Sequence, residues 1–293
     1  MENLRGSVLM VLAMAGFALE DMFIKRLADA MPVGQIIMAI GLGGAAIFAA
    51  ICAGQGRRLF SRDLLARPVL LRNTGEMAGT MCFVTAIALT PLSSASAILQ
   101  ATPLAVTLGA ALFLREPVGW RRWSAILVGF AGVLMVVRPG LEGFAPASLF
   151  AVGAVIGLAL RDLATRAVPA AISSMQLSAY AFATLVPTGA ILLAFGDGPV
   201  VPGGVQIRDL GLALACGVGA YYAIVAAMRV GEVAVVTPFR YTRLVFALGI
   251  GMLVFAERPD AWTLTGAAVI VASGLYTLMR EARLGRRRAR ETA

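Results

Sequence analysis

Between Arg5 and Arg280 the chain runs through a succession of apolar stretches, each about twenty residues long and each stopped by Gly, Pro or a group of arginines. A helix of about 20 apolar residues crosses a hydrocarbon core of roughly 30 Å, and within lipid a helix satisfies its own backbone hydrogen bonds. Such stretches leave little sequence for a solvated surface. Only 14% of the 293 residues are charged, against about 25% in a soluble domain. The chain therefore reads as an all-α polytopic membrane protein. Spans are expected at 6–27, 33–54, 70–90, 93–114, 121–138, 146–167, 173–195, 209–229, 233–255 and 261–280, ten transmembrane helices in all. Their breaks carry turn chemistry: Ala30-Met31-Pro32, Gln55-Gly56-Arg57, Thr90-Pro91, Glu116-Pro117-Val118-Gly119, Pro139-Gly140 and the Gly/Pro-rich segment 196–204. The first run continues without a small-residue cleavage motif, so it is read as a span and not as a removable signal peptide.

Arginine placement orients these spans, because cytoplasmic loops collect Lys and Arg. With the N-terminus inside, Arg5, Arg57, Arg58, Arg62, Arg67, Arg72, Arg115, Arg121, Arg122, Arg166, Arg229 and the six arginines between Arg280 and Arg290 share one side. Lys25, Arg26, Arg138, Arg208 and Arg258 fall on the other, a split of 17 to 5. Both termini are then cytoplasmic. The net charge of +9 reports this topology and contact with anionic lipid, including a basic tail over 281–293, and does not call for nucleic acid.

The sequence also repeats itself. GFALEDMFIK (Gly16 to Lys25) and GLALRDLATR (Gly157 to Arg166) agree at Gly, Ala, Leu, Asp and a final base, 141 positions apart. Gln35 recurs as Gln176 at the same spacing, while FLREPVGW (Phe113 to Trp120) recurs as FAERPDAW (Phe255 to Trp262) at 142. Gly109 and Gly132 likewise find Gly251 and Gly274. Markers in register over most of the chain indicate a duplication, with copies over 1–140 and 141–280. Each copy holds five spans. Because five is odd, the second copy enters the membrane from the opposite side, which makes two inverted five-helix repeats.

These features resemble the EamA branch of the drug/metabolite transporter superfamily. The resemblance rests on two five-helix halves, on a first helix ending in GFALEDMFIK, and on the link LREPVGWRRWSAILVG between the fourth and fifth helices. It implies a carrier of the bacterial inner membrane, most similar to exporters of aromatic amino acids. The run from Thr90 to Trp123 is also similar to relatives that move vitamins or other metabolites. Two positions depart from the pattern. Phe17 stands where Trp is frequent, and the second helix has Gly41 and other small residues where an Arg is common.

No histidine is present, which removes the usual metal ligand and the usual base at neutral pH. Cys52, Cys82 and Cys216 lie in separate apolar runs and read as small buried hydrophobes. Neither an enzyme nor a cofactor or metal is expected. What the interior does hold is charge, and ionisable groups inside a membrane are costly enough to be functional candidates. Glu20 and Asp21 lie in the first span, Glu76 in the third, Arg161 and Asp162 in the sixth, Arg240 and Arg243 in the ninth. Arg240 and Arg243 share a helical face. Either they receive a substrate carboxylate while Glu20 or Glu76 meets an ammonium, or the same charges pair among themselves and hold the bundle together. Gln100, Tyr241 and one of the adjacent Tyr221 and Tyr222, which point about 100° apart on a helix, complete the expected binding set, with Tyr222 taken as the member that faces the cavity. Asp21 with Lys25, and Asp162 with Arg166, are spaced i,i+4 with the acid first, which favours an intrahelical pair and suggests gates at opposite mouths. Pro103 and Pro238, in the fourth and ninth spans, are the expected hinges. The sequence thus points to alternating access through a central cavity, exporting amino acids including aromatic ones. A carrier of a vitamin, nucleobase or other small metabolite is the alternative. The expected partners are that small-molecule substrate and the lipid bilayer, with a monomer as one option for assembly.

Overall fold

The computed structural model describes residues 2–57, 59, 65–116, 119–169, 171–196 and 198–291. Arg58, Arg62, Pro117 and Val118, which entered the charge split and the turn chemistry, lie outside the described residues, as do residues 292–293 and the side chains of 281–291 in the basic tail. Among the described residues the regular structure is all helical: α1 (Glu2–Ala28), α2 (Val33–Gly54), α3 (Arg67–Leu89), α4 (Leu92–Leu99), α5 (Thr102–Phe113), α6 (Trp120–Val137), α7 (Ser148–Thr165), α8 (Ser174–Ala194), α9 (Gly204–Val230), α10 (Val233–Val236), a 3-10 segment (Thr237–Tyr241), α11 (Thr242–Val254) and α12 (Ala261–Glu291).

Eight of these segments are long and apolar enough to cross a membrane, with α4 and α5 counted as one. The two expected spans that fall short do so for related reasons. Helix α3 carries Arg67, Arg72 and Glu76, and the stretch from Val233 to Val254 is divided by its 3-10 segment. Both carry polar groups into the bundle. Helix α12 continues eleven residues past the expected end at 280, to Glu291.

The helices pack mostly across the two halves: α1 on α9, α3 on α7, α2 on α8 and α6 on α12. Shifting the first half by 141 positions turns α1 into α7 and α3 into α9, so the α1–α9 and α3–α7 contacts are one contact made twice. The shared glycine of the repeated motif sits at both. A Cβ on Gly16 would come within 2.9 Å of the Ala220 Cβ on α9, and a Cβ on Gly157 within 2.5 Å of the Gly79 backbone N on α3. Helices without small residues there could not approach so closely. Against this frame the buried apolar core gathers Phe48, Ile36, Ile37 and Ile40 of α2 with Ile87, Leu92 and Ile98 of α3 and α4.

Candidate functional site

Two spans are interrupted, and the interruptions touch. Helix α4 stops at Leu99 and α5 resumes at Thr102 with Pro103 in its first turn, where a missing N–H costs nothing. Proline cannot bond the carbonyl four residues back, and the Thr102 hydroxyl donates to that Leu99 carbonyl at 2.6 Å instead. The second interruption is the 3-10 segment, with Pro238 in its first turn. Gln100 joins them: its Nε2 donates to the Tyr241 carbonyl at 3.2 Å and reaches that of Arg240 at 3.5 Å. Gln100 and Tyr241 are themselves 141 positions apart. Pro103 thus opens the resumed segment of one span and Pro238 opens the interruption of the other, and Gln100 fastens one break to the other.

Two ionic networks flank this junction. In the first, Arg243 Nη2 donates to Asp21 Oδ2 at 2.7 Å and Nε to the same oxygen at 3.3 Å. The guanidinium lies over the rings of Phe17 and Phe83, 5.3 and 5.2 Å from their centroids. A cation in the first turn of α11 opposes the helix dipole. The carboxylate and the two ring faces offset that cost.

The second network joins α3, α7 and α9. Glu76 lies 3.6 Å from Arg72 and 3.3 Å from Arg161, and Arg161 Nε donates to Asp162 Oδ1 at 2.8 Å. Base before acid is the weaker i,i+4 order, so the cation from α7 strengthens what Arg72 alone would provide. Arg72 Nη2 reaches the Tyr221 hydroxyl at 3.2 Å. Tyr221 in turn meets Phe17, Phe48 and Phe182 edge-on, with centroids 6.3, 6.0 and 5.6 Å away, and Phe48 stacks on Phe182 at 5.5 Å. Phe17 therefore connects the networks, lying under Arg243 and against Tyr221.

Each network closes its own charge, Asp21 against Arg243, and Glu76 with Asp162 against Arg72 with Arg161. Two ionisable side chains remain outside these contacts. Glu20 rests against Gly217 of α9 and has no hydrogen bond or ion pair among the described residues. The Arg240 guanidinium has none either, although its charge acts on Asp162.

Several residues sit elsewhere than the sequence suggests. Tyr222 is 56% exposed on the outer face of α9, and its neighbour Tyr221 occupies the interior. Arg72 is not a loop cation: it is 4% exposed within the second network, which lowers the cytoplasmic count by one. The intrahelical pairs are not formed. Asp21 turns to Arg243 and Asp162 to Arg161, while Lys25 pairs with Glu257 and Arg166 with Glu116. The i,i+4 spacing permits a pair, but for three of these groups a partner across the bundle wins. Tyr241 contributes its backbone carbonyl, and its ring packs onto Gly274. Sequence reasoning placed one of Tyr221 and Tyr222 at the site and took Tyr222, and it missed the rings of Phe48 and Phe182 around Tyr221, together with Glu116 and Glu257. The position of Arg72 four residues before Glu76 was the signal for the network, whereas the two links, aligned at 142, set Glu116 against Arg258 and gave no signal for the two glutamates.

The sequence pattern of the EamA-like transporter family matches residues 4–138 and again 145–279. Curated relatives span much of the chain. An S-adenosylmethionine uptake transporter of Rickettsia felis is 25% identical over 212 residues, 72% of this chain and 71% of that protein. A riboflavin transporter of Vibrio cholerae is 32% identical over 198 residues, 67% and 66%. A pseudopaline exporter of Pseudomonas aeruginosa is 32% identical over 283 residues, 92% and 94%. These matches make the chain a multi-pass protein of the bacterial inner membrane and a transporter of small molecules. None of the three is named as an aromatic amino-acid exporter.

Proposed function

As this chain belongs to the EamA-like transporter family, we propose that it is an alternating-access carrier of small zwitterionic metabolites, amino acids and their aromatic members among them, working in the direction of export. The observation that carries the reading is the pair of ionisable groups left over. With both networks closed, Glu20 and Arg240 are one acid and one base whose side chains make no hydrogen bond or ion pair among the described residues, and an amino acid presents the matching ammonium and carboxylate. An ionisable group without a hydrogen-bonded partner in a membrane interior is costly, so a substrate that supplies both partners gains affinity from relieving it. Gln100, Tyr241, Glu76 and Arg243 hold the surrounding frame, and the rings of Phe17, Phe48, Phe182 and Tyr221 offer an aromatic side chain a stacking surface.

The topology belongs to the same proposal. Residues 1–140 and 141–280 form two inverted halves of five spans each, both termini are cytoplasmic, and 281–293 is a lipid-facing tail. Cysteine tags at Gly198 and Ala293 should then be labelled from opposite sides of the membrane, and labelling from the same side overturns the ten-span arrangement.

Counterflow in proteoliposomes tests the substrate. Vesicles preloaded with unlabelled phenylalanine should accumulate the labelled compound, Arg240→Ala should lower that rate roughly tenfold, as loss of a charged contact implies, and Arg240→Lys should retain part of it. Unchanged counterflow in Arg240→Ala refutes the assignment. The ring cluster also supports a second reading, a carrier of planar heteroaromatic metabolites. Counterflow of riboflavin with none of any amino acid selects that one.

A further inference from the structure

The register of the repeat relates two ion pairs at opposite ends of the bundle. Lys25 and Arg166 are 141 positions apart, and so are Glu116 and Glu257. Lys25 lies 3.9 Å from Glu257, and Arg166 lies 3.1 Å from Glu116. The glutamates share a backbone setting as well: Glu116 N donates to the Ala110 carbonyl at 3.2 Å and Glu257 N to the Gly251 carbonyl at 2.9 Å. Each follows a residue in the left-handed region, Arg115 at φ 54° and Ala256 at φ 50°. In both pairs the base comes from the first span of one half and the acid from the last link of the other, so each pair ties the halves together.

The pairs differ in how they are built. Lys25 Nζ donates to the carbonyls of Ile87 at 2.9 Å and Thr90 at 2.6 Å, at the end of α3. Glu257 accepts from the backbone N–H groups of Leu92 at 2.6 Å and Ser93 at 3.0 Å, at the start of α4. A cation on a helix C-terminus and an anion on a helix N-terminus complement both dipoles and satisfy groups that the helices leave open. Together they clamp the Thr90–Pro91 turn from both sides. Their side chains are 17% and 8% exposed, whereas those of Arg166 and Glu116 are 51% and 41% exposed. Two symmetry-related mouths in the same state would bury their pairs alike.

We propose that Lys25–Glu257 and Arg166–Glu116 are the two complementary seals of the carrier, the first drawn shut in this structure and the second loosened into solvent, each tightening as the other opens. The inference rests on the alternating-access reading but not on the identity of the substrate. Opening the Lys25 mouth breaks the contacts that clamp the Thr90–Pro91 turn, and closing the other mouth buries Arg166 and Glu116 between the halves.

Distances between spin labels across each mouth, measured without substrate, test it. With Cys52, Cys82 and Cys216 replaced, labels at Asp29 and Arg258 report one mouth and labels at Leu114 and Ala167 the other. Glu257→Gln should lengthen the first distance and shorten the second, changing the ratio of the two states about tenfold or more. Glu116→Gln should move both distances the opposite way, by less, because its pair is already solvated. Lys25→Gln and Arg166→Gln remove the same pairs from the other side, so a folding defect in one variant leaves its reciprocal to decide. Shifts of the same sign at both pairs, or unchanged distances in every variant, overturn the seals. Opposite shifts in a protein that moves neither amino acids nor riboflavin in counterflow would uphold the seals and refute the substrate reading alone.

Discussion

Replacing Glu76 by Gln removes the one carboxylate that both Arg72 and Arg161 share, and leaves two cations facing each other in the bundle. Arg72 is 4% exposed and the Glu76 side chain 8% exposed, so water does little to screen the loss. At the observed separations of 3.3 and 3.6 Å, Coulomb's law with an effective dielectric of about 20 gives roughly 5 kcal/mol per pair. Most of that is offset by the desolvation already incurred on burial. The cost of breaking such a pair from one side is about 3–5 kcal/mol, because a buried charge is left uncompensated. For a chain of this size that is a fall of roughly 6–10 °C in unfolding midpoint. Thermal unfolding of the purified protein in detergent measures it, and the double variant Glu76→Gln with Arg72→Gln provides the decisive comparison. If the arginines are held by Glu76, removing Arg72 as well should restore part of the lost stability, so that the two changes are strongly non-additive. A midpoint within 2 °C of the parent for Glu76→Gln, or simple additivity in the double variant, would refute the view that this network holds α3 to α7.

Two further outcomes follow from particular contacts. Tyr221→Phe should weaken transport several-fold by freeing Arg72 from its hydroxyl partner, whereas Tyr222→Phe, on the outer face, should leave counterflow rates unchanged; equal effects would place both tyrosines outside the site. At the link before α12, hydrogen bonds from the Arg138 guanidinium and the Thr263 backbone hold the Asp260 carboxyl down at about 2, below the ordinary value of about 3.9. Its contribution to stability is therefore present at neutral pH and is lost as the pH falls from about 4 towards 2. Asp260→Asn should lower the unfolding midpoint at pH 7 by a small amount, given the exposure of the carboxylate, and the difference from the parent should shrink by pH 3; a gap that persists there would tie the effect to something other than this ionisation.

The spans were legible in the sequence because their determinants are local. Continuous apolar runs fix where helix is needed, and Gly, Pro and arginine clusters fix where it stops, so α2 covers Val33–Gly54 as the pattern predicts. The duplication was legible as well, since Gly16 and Gly157 recur for a packing reason that the repeat enforces twice. Membership of a transporter family follows from the same pattern, while the choice of cargo does not. What the sequence left undecided was which charge meets which. The FLREPVGW and FAERPDAW links align at a spacing of 142, which sets Glu116 against Arg258. The backbone instead keeps the 141 register across this link: the left-handed residues, the glutamate N–H bonds to Ala110 and Gly251, and the starts of α6 at Trp120 and α12 at Ala261 are all 141 apart. Only the fold could reveal this, because the residues that the two links share, Phe, Pro and Trp, align at 142 and draw the comparison one position off. The i,i+4 acids and bases of α1 and α7 likewise have an intrahelical option that local spacing favours by a few tenths of a kcal/mol. Inside the bundle, Lys25 instead reaches two helix-end carbonyls and Glu257, and Asp21 takes a two-nitrogen contact with Arg243. Desolvated charges go to whichever neighbours satisfy most of their hydrogen-bonding groups, and the packing of the bundle brings those neighbours within reach, Glu257 and Arg243 from positions more than two hundred residues further along the chain.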